Sequence, residues 1–116
     1  MTGMLAPYRV LDFTDERGEI GPMLMGDLGA EVIRIEPPQG SDARRCQPVA
    51  EAADPSLTSL QFIAFNRNKQ SVVLDPSFAA DRTLLEDLIR ASDFLFESAR
   101  PSLLATYGLG LTRCVY

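Results

Sequence analysis

The sequence predicts an α/β protein built on a parallel sheet with flanking helices. Strand-like, helix-like and strand-like stretches succeed one another twice along the chain, the pattern of parallel crossover units. The strand candidates are short and rich in aliphatic and β-branched residues. Right-handed crossovers then fix the face of the sheet on which each helix lies.

The elements follow in order. Tyr8–Phe13 (YRVLDF) reads as a short buried strand, and Thr14–Glu19 (TDERGE) as a polar loop carrying a glycine. Ile20–Leu28 (IGPMLMGDL) reads as a helix, with Pro22 in the first turn, where a missing N–H costs nothing. Met23, Leu24 and Leu28 give that helix an apolar face. Gly29 suits the left-handed position after a helix end. Glu31–Glu36 (EVIRIE) is the second strand, stopped by Pro37-Pro38. Gln39 to Leu57 is turn-rich and long enough to be a ligand loop. Thr58–Phe65 fits a helix or a strand equally well. Ser71–Leu74 is the third strand. Phe78–Ala91 is a helix with Leu84, Leu85, Leu88 and Ile89 as its stripe and Asp81, Arg82, Glu86, Asp87 and Arg90 toward water. Asp93–Glu97 (DFLFE) is the fourth strand.

Composition narrows the function. The chain has 116 residues, 46% hydrophobic and 23% charged, with a net charge of -5. A nucleic-acid binder would show a clustered basic excess, so nucleic acid is not an expected partner. No stretch nears the roughly 18 apolar residues of a membrane span, and no basic region followed by an apolar run marks a signal peptide. No membrane partner is expected, and the expected location is the cytoplasm. Cys46 and Cys114 fit no metal or redox spacing and read as reduced thiols. The chain has no histidine, which removes His-dependent nucleophilic triads and His-based metal sites. No metal site is expected. The first strand–helix–strand unit invites a dinucleotide reading with Glu36 on a ribose. The loop RGEIGP, however, lacks the G-x-G-x-x-G phosphate turn, and Glu36 reads as a solvated strand end.

Asn66-Arg67-Asn68-Lys69 packs two amides and two cations at the mouth of the third strand. Together with RVLDFT (Arg9–Thr14), the segment from Gly21 to Pro38 (GP…LGAEVIRIEPP), NRNKQSVVLD (Asn66–Asp75) and SDFLFESARPS (Ser92–Ser102), this resembles the class III coenzyme A transferases in order, spacing and wording. The α-methylacyl-CoA racemases belong to the same superfamily. The resemblance covers about residues 8 to 110 and implies a Rossmann-like fold, with residues 1–116 as the incomplete N-terminal part of a larger domain. It also implies a homodimer of interlocked rings in the full-length protein. Coenzyme A or an acyl-CoA is then a substrate, not a permanently bound cofactor, and a carboxylic acid is the second partner.

The resemblance places Leu74 against the adenine, with Asp75 beside it, and has the Asn66–Lys69 cluster organise the approach to that pocket. The alternative for the cluster is turn-capping amides and solvated cations. The loop after the first strand is longer by two residues than the family pattern, and Arg17 is the expected substitute contact there. Ser98 and Ala99 stand where many members have Asn-Phe, and Thr106 stands where some have arginine. Arg100, Arg44 and Arg45 are candidates to compensate, or else solvated surface cations. In the resembled transferases an aspartate attacks the acyl-CoA thioester and the CoA passes on through an enzyme thioester. That position is expected downstream of Tyr116. None of Asp12, Asp15, Asp27, Asp42, Asp75 and Asp93 matches it, so no catalytic residue is assigned within the chain, and the chain alone is expected to be inactive. A racemase-type segment and a non-catalytic CoA-binding or assembly module are the alternatives. The chain is read as a fragment, a truncated gene product or a split subunit.

Overall fold

The structure is a computed structural model that describes residues 3–49 and 59–98. Four strands form one parallel sheet: β1 (Arg9–Phe13), β2 (Glu31–Glu36), β3 (Gln70–Val73) and β4 (Phe94–Glu97). Their spatial order is β3-β2-β1-β4. The chain winds outward from β1 to β3 and then returns to the other side of β1, the arrangement of a Rossmann half. Helices α1 (Ile20–Asp27), α2 (Leu60–Asn66) and α3 (Ala79–Arg90) lie between successive strands, and a 3₁₀ turn spans Asp42–Arg45.

Strand alternation divides the sheet into two faces. Leu11, Ile33 and Ile35 point to one side and pack with Leu74 and Leu85, with Leu88 and Ile89 of α3 beside them. Leu11 and Leu85 have no exposed surface. Val10 and Val32 point to the other side and pack with Ala30 and, from α1, Met25. Farther along that second face the pattern changes from apolar to charged, because its next positions are Asp12, Arg34 and Glu36.

The undecided stretch Thr58–Phe65 resolves as α2. Ser59 caps it, with its hydroxyl accepting from the Phe62 N–H at 3.1 Å. Gly29 follows α1 at φ +107°, the left-handed backbone its position calls for. Two expected apolar faces need correction. On α1, Pro22 and Met23 are buried, while Leu24 and Leu28 are 51% and 44% exposed. On α3, Leu85 seats against the sheet, but Leu84 is 53% exposed. A helix on a twisted sheet buries a narrower stripe than its apolar residues offer.

Candidate functional site

A cavity of about 980 Å³ opens at the carboxyl ends of β1, β2 and β3. Crevices at this end of an open parallel sheet are where ligands of such folds sit. Phe13, Ile35 and Leu74 give it apolar surface, and the loops after the three strands supply Asp15, Arg17, Pro38, Ser41 and Asp75. Leu74 is 6% exposed and belongs equally to the α3-facing core. The Asp75 carboxylate accepts from the Ser77 N–H at 3.0 Å and its hydroxyl at 2.6 Å, which closes the turn into α3.

At one rim the loop after β1 is fastened to the end of β4. The Ser98 hydroxyl donates to Asp15 Oδ1 at 2.8 Å, and the Asp15 N–H donates back to that hydroxyl at 2.9 Å. Arg17 donates to Asp15 Oδ2 through Nε at 3.0 Å and Nη2 at 2.5 Å, and through Nη2 to the Ser98 carbonyl at 3.3 Å. The Arg17 guanidinium holds the Asp15 carboxyl down at about 2, against the upward push of burial and with help from Ser98. Gly18 is needed here, because a Cβ on it would lie 2.7 Å from that of Ser98.

Behind the cavity lies a buried ionic network on the second face of the sheet. Arg34 and Asp12 are lateral neighbours in the register, and Arg34 Nη1 reaches Asp12 Oδ2 at 3.3 Å and Glu19 Oε2 at 3.2 Å. Lys69 Nζ is 2.7 Å from Asp12 Oδ2 and donates to the Glu19 carbonyl at 3.0 Å and Asn66 Oδ1 at 2.9 Å. The Arg34 guanidinium also donates to Ser41, on the cavity wall, at 3.0 Å. Thr14 turns in to donate to Asp12 Oδ1 at 2.6 Å. Burial pushes the Glu19 carboxyl up, with Asn66, Arg34 and Lys69 opposing, and one Glu19 oxygen has no hydrogen-bond partner among the described residues. Burial also pushes the Lys69 amine down, against the opposing pull of Asp12.

Several expected roles change. Glu36 is not a solvated strand end: it is 2% exposed and held by Arg44 through Nε at 2.8 Å and Nη2 at 2.7 Å, with the Ser71 hydroxyl at 2.5 Å. Burial raises its carboxyl, and Arg44 and Ser71 more than offset that, so the net shift is downward. Arg44 therefore serves Glu36 and lies over the Phe62 ring at 4.3 Å, while Arg45 pairs with Asp42. The Asn66–Lys69 cluster does not line the cavity. Arg67 and Asn68 tie to Asp27 of α1 at 2.8 and 2.7 Å, and Asn66 and Lys69 enter the buried network. Lys69, with a side chain 1% exposed, is not a solvated cation. Of the expected site residues, the structure brings Arg17, Leu74 and Asp75 to the cavity and sets Ser98 against Asp15. Ala99 and Arg100 lie outside the described residues, as does Thr106. Sequence reading missed Asp12, Arg34 and Glu19. For Asp12 and Arg34 the available signal was charge inside strands otherwise apolar enough to be buried on both faces; Glu19 lies just before α1, where no such pattern marks it.

The model of CoA-transferase family III matches residues 5–115. The chain belongs to CoA-transferase family III. Among curated relatives, the formyl-CoA:oxalate CoA-transferase of Rhodopseudomonas palustris is 37% identical over 110 residues, covering 93% of this chain and 25% of the relative. Subunit BbsE of the succinyl-CoA:(R)-benzylsuccinate CoA-transferase of Thauera aromatica is 34% identical over 105 residues, with 90% and 25% covered. Among solved structures, the Rv3272 protein of Mycobacterium tuberculosis superposes with a TM-score of 0.77 at 32% identity, covering 97% of this chain and 30% of that one. A CaiB/BaiF family protein from Brucella suis superposes at 0.81 with 27% identity, covering 98% and 30%. The chain thus spans about a quarter of these two curated relatives and 30% of the two solved ones.

Proposed function

We propose that this chain forms the coenzyme A nucleotide-binding part of an enzyme that moves CoA between carboxylic acids. The observation that carries the reading is the cavity at the strand carboxyl ends, with Leu74 in its wall, in a chain of this family. Leu74, with Asp75 following, offers an apolar surface for the adenine, and Arg17 offers a donor fork for phosphate. Ser98, and after it in the sequence Ala99 and Arg100, complete the proposed contact set. The transfer itself goes through an aspartyl intermediate whose nucleophile is not among these residues. The acyl-CoA and the acceptor acid are substrates, and in the full-length protein two chains interlock as a homodimer.

Isothermal titration with competition tests the reading. The expected result is that CoA binds the folded chain, that adenosine 3′,5′-bisphosphate competes with it, and that pantetheine does not. Competition by pantetheine alone, or no CoA binding to a chain shown to be folded, sinks the assignment. Because Leu74 is also core, Leu74→Asp unfolds the chain as well as blocking the pocket. Competing ligands are the cleaner probe.

A further inference from the structure

We propose that Asp15 is a specificity-determining residue of the cavity: its carboxylate occupies the Arg17 fork that an anionic ligand would otherwise take, and so limits how tightly phosphate groups are held. The choice of phosphate as ligand rests on the CoA reading above. The role of Asp15 rests on local geometry.

The cavity is poor in positive charge. Among the described residues that line it, Arg17 is the sole cation, beside Asp15, Glu16, Glu36, Asp42 and Asp75. Glu36 is neutralised by Arg44. Arg17 is not idle either. Its Nε and Nη2 both donate to Asp15 Oδ2, along the guanidinium edge that binds phosphate bidentately. Asp15 is the anchored partner of this pair. Its Oδ1 accepts from the Arg17 N–H at 3.0 Å and from the Ser98 hydroxyl at 2.8 Å, and its own N–H is bonded to Ser98. The Arg17 side chain is 59% exposed and has room to swing. A phosphate entering the cavity must therefore take the fork away from Asp15 or meet a guanidinium whose charge is already answered.

Asp15→Asn isolates this effect. The amide oxygen still accepts from the Arg17 N–H and from Ser98, so the loop keeps its turn. The new NH₂ faces the guanidinium donor to donor, so the fork loses both bonds to Oδ2 and keeps only the longer Nε contact to the remaining oxygen, 3.3 Å in the wild type. Asp42→Asn is the control, since it removes a cavity carboxylate bonded to Arg45 and not to Arg17.

The full chain is titrated with inorganic pyrophosphate and with CoA at low ionic strength. Asp15→Asn is expected to bind pyrophosphate about fivefold more tightly than wild type, the scale of one partly exposed ion pair. Asp42→Asn gives less than half of that gain, and the gain disappears in Asp15→Asn/Arg17→Ala. Unchanged or weaker binding in Asp15→Asn overturns the proposal, including the case where neither chain binds pyrophosphate measurably. So does an equal gain in Asp42→Asn, or a gain that survives loss of Arg17. The unmutated chain gives a second readout: as pyrophosphate is added, the NMR resonances of Arg17 Nε–Hε and the Asp15 carboxyl shift together. Movement of Arg17 with Asp15 unmoved overturns the proposal. The two readings fail differently. A pyrophosphate gain without CoA binding removes the CoA reading and keeps the role of Asp15, whereas CoA binding indifferent to Asp15→Asn does the reverse.

Discussion

At the scale of single residues, the ions buried beside α1 hold one another in place. Asp12 and Glu19 are matched by Arg34 and Lys69, each with a side chain no more than 1% exposed. Removing one member leaves an opposite charge buried without its partner, which costs about 3–5 kcal/mol. Lys69→Met is therefore expected to lose that much stability in urea denaturation, and a loss below 1 kcal/mol would contradict the network. Arg90→Met, on a side chain 63% exposed, stays within about 0.5 kcal/mol. Asp15 behaves differently because its carboxyl is lowered from 3.8 to about 2. A depressed acid stabilises the fold above its unfolded value and loses that contribution as pH falls. The wild-type chain should lose stability between about pH 4 and pH 2 more steeply than Asp15→Asn. Parallel acid profiles would remove the Arg17 contact as the cause.

At the scale of elements, the two neighbouring leucines of α3 separate cleanly. Leu85→Ala empties a fully buried site and is expected to cost about 2–5 kcal/mol, while Leu84→Ala stays within about 0.5 kcal/mol. Similar losses in thermal melts of both variants would mean that α3 is rotated from the position described. Helical period alone puts both leucines on one stripe, and only the sheet decides which edge of the stripe is covered. The bounds of β2 were readable, because a β-branched run ends at two prolines. α2 was not, since Leu60, Phe62, Ile63 and Phe65 satisfy either period over so short a span. The site was legible where sequence neighbours suffice, as for Leu74 and Asp75 before the turn into α3. It was illegible where the partner is distant: Glu36 is buried because Arg44 returns from the 3₁₀ turn, and Lys69, just before β3, because Asp12 waits far back in the sequence on β1.

At the scale of the whole molecule, the sheet ends on β3 at one side and β4 at the other, and among the described residues neither has an outer partner. Ile20 and Leu24 of α1 and Leu28 just after it stand four residues apart, each between 44% and 53% exposed. Open strand edges and a contiguous apolar row both favour association. Sedimentation velocity on the 116-residue chain should show species heavier than the monomer as concentration rises, reduced by Leu24→Lys. A monomer at every concentration, with no binding of an apolar dye, would count against it.

Lys69 has one more consequence, because it is the sole lysine of the chain. With its amine sealed between Asp12, Asn66 and the Glu19 carbonyl, an amine-selective acylating reagent should form an amide only at the terminal amine while the protein stays folded. A second adduct can appear only as fast as the native state opens. Labelling time courses followed by mass spectrometry would thus turn one side chain into a built-in clock of unfolding, with no engineered tag.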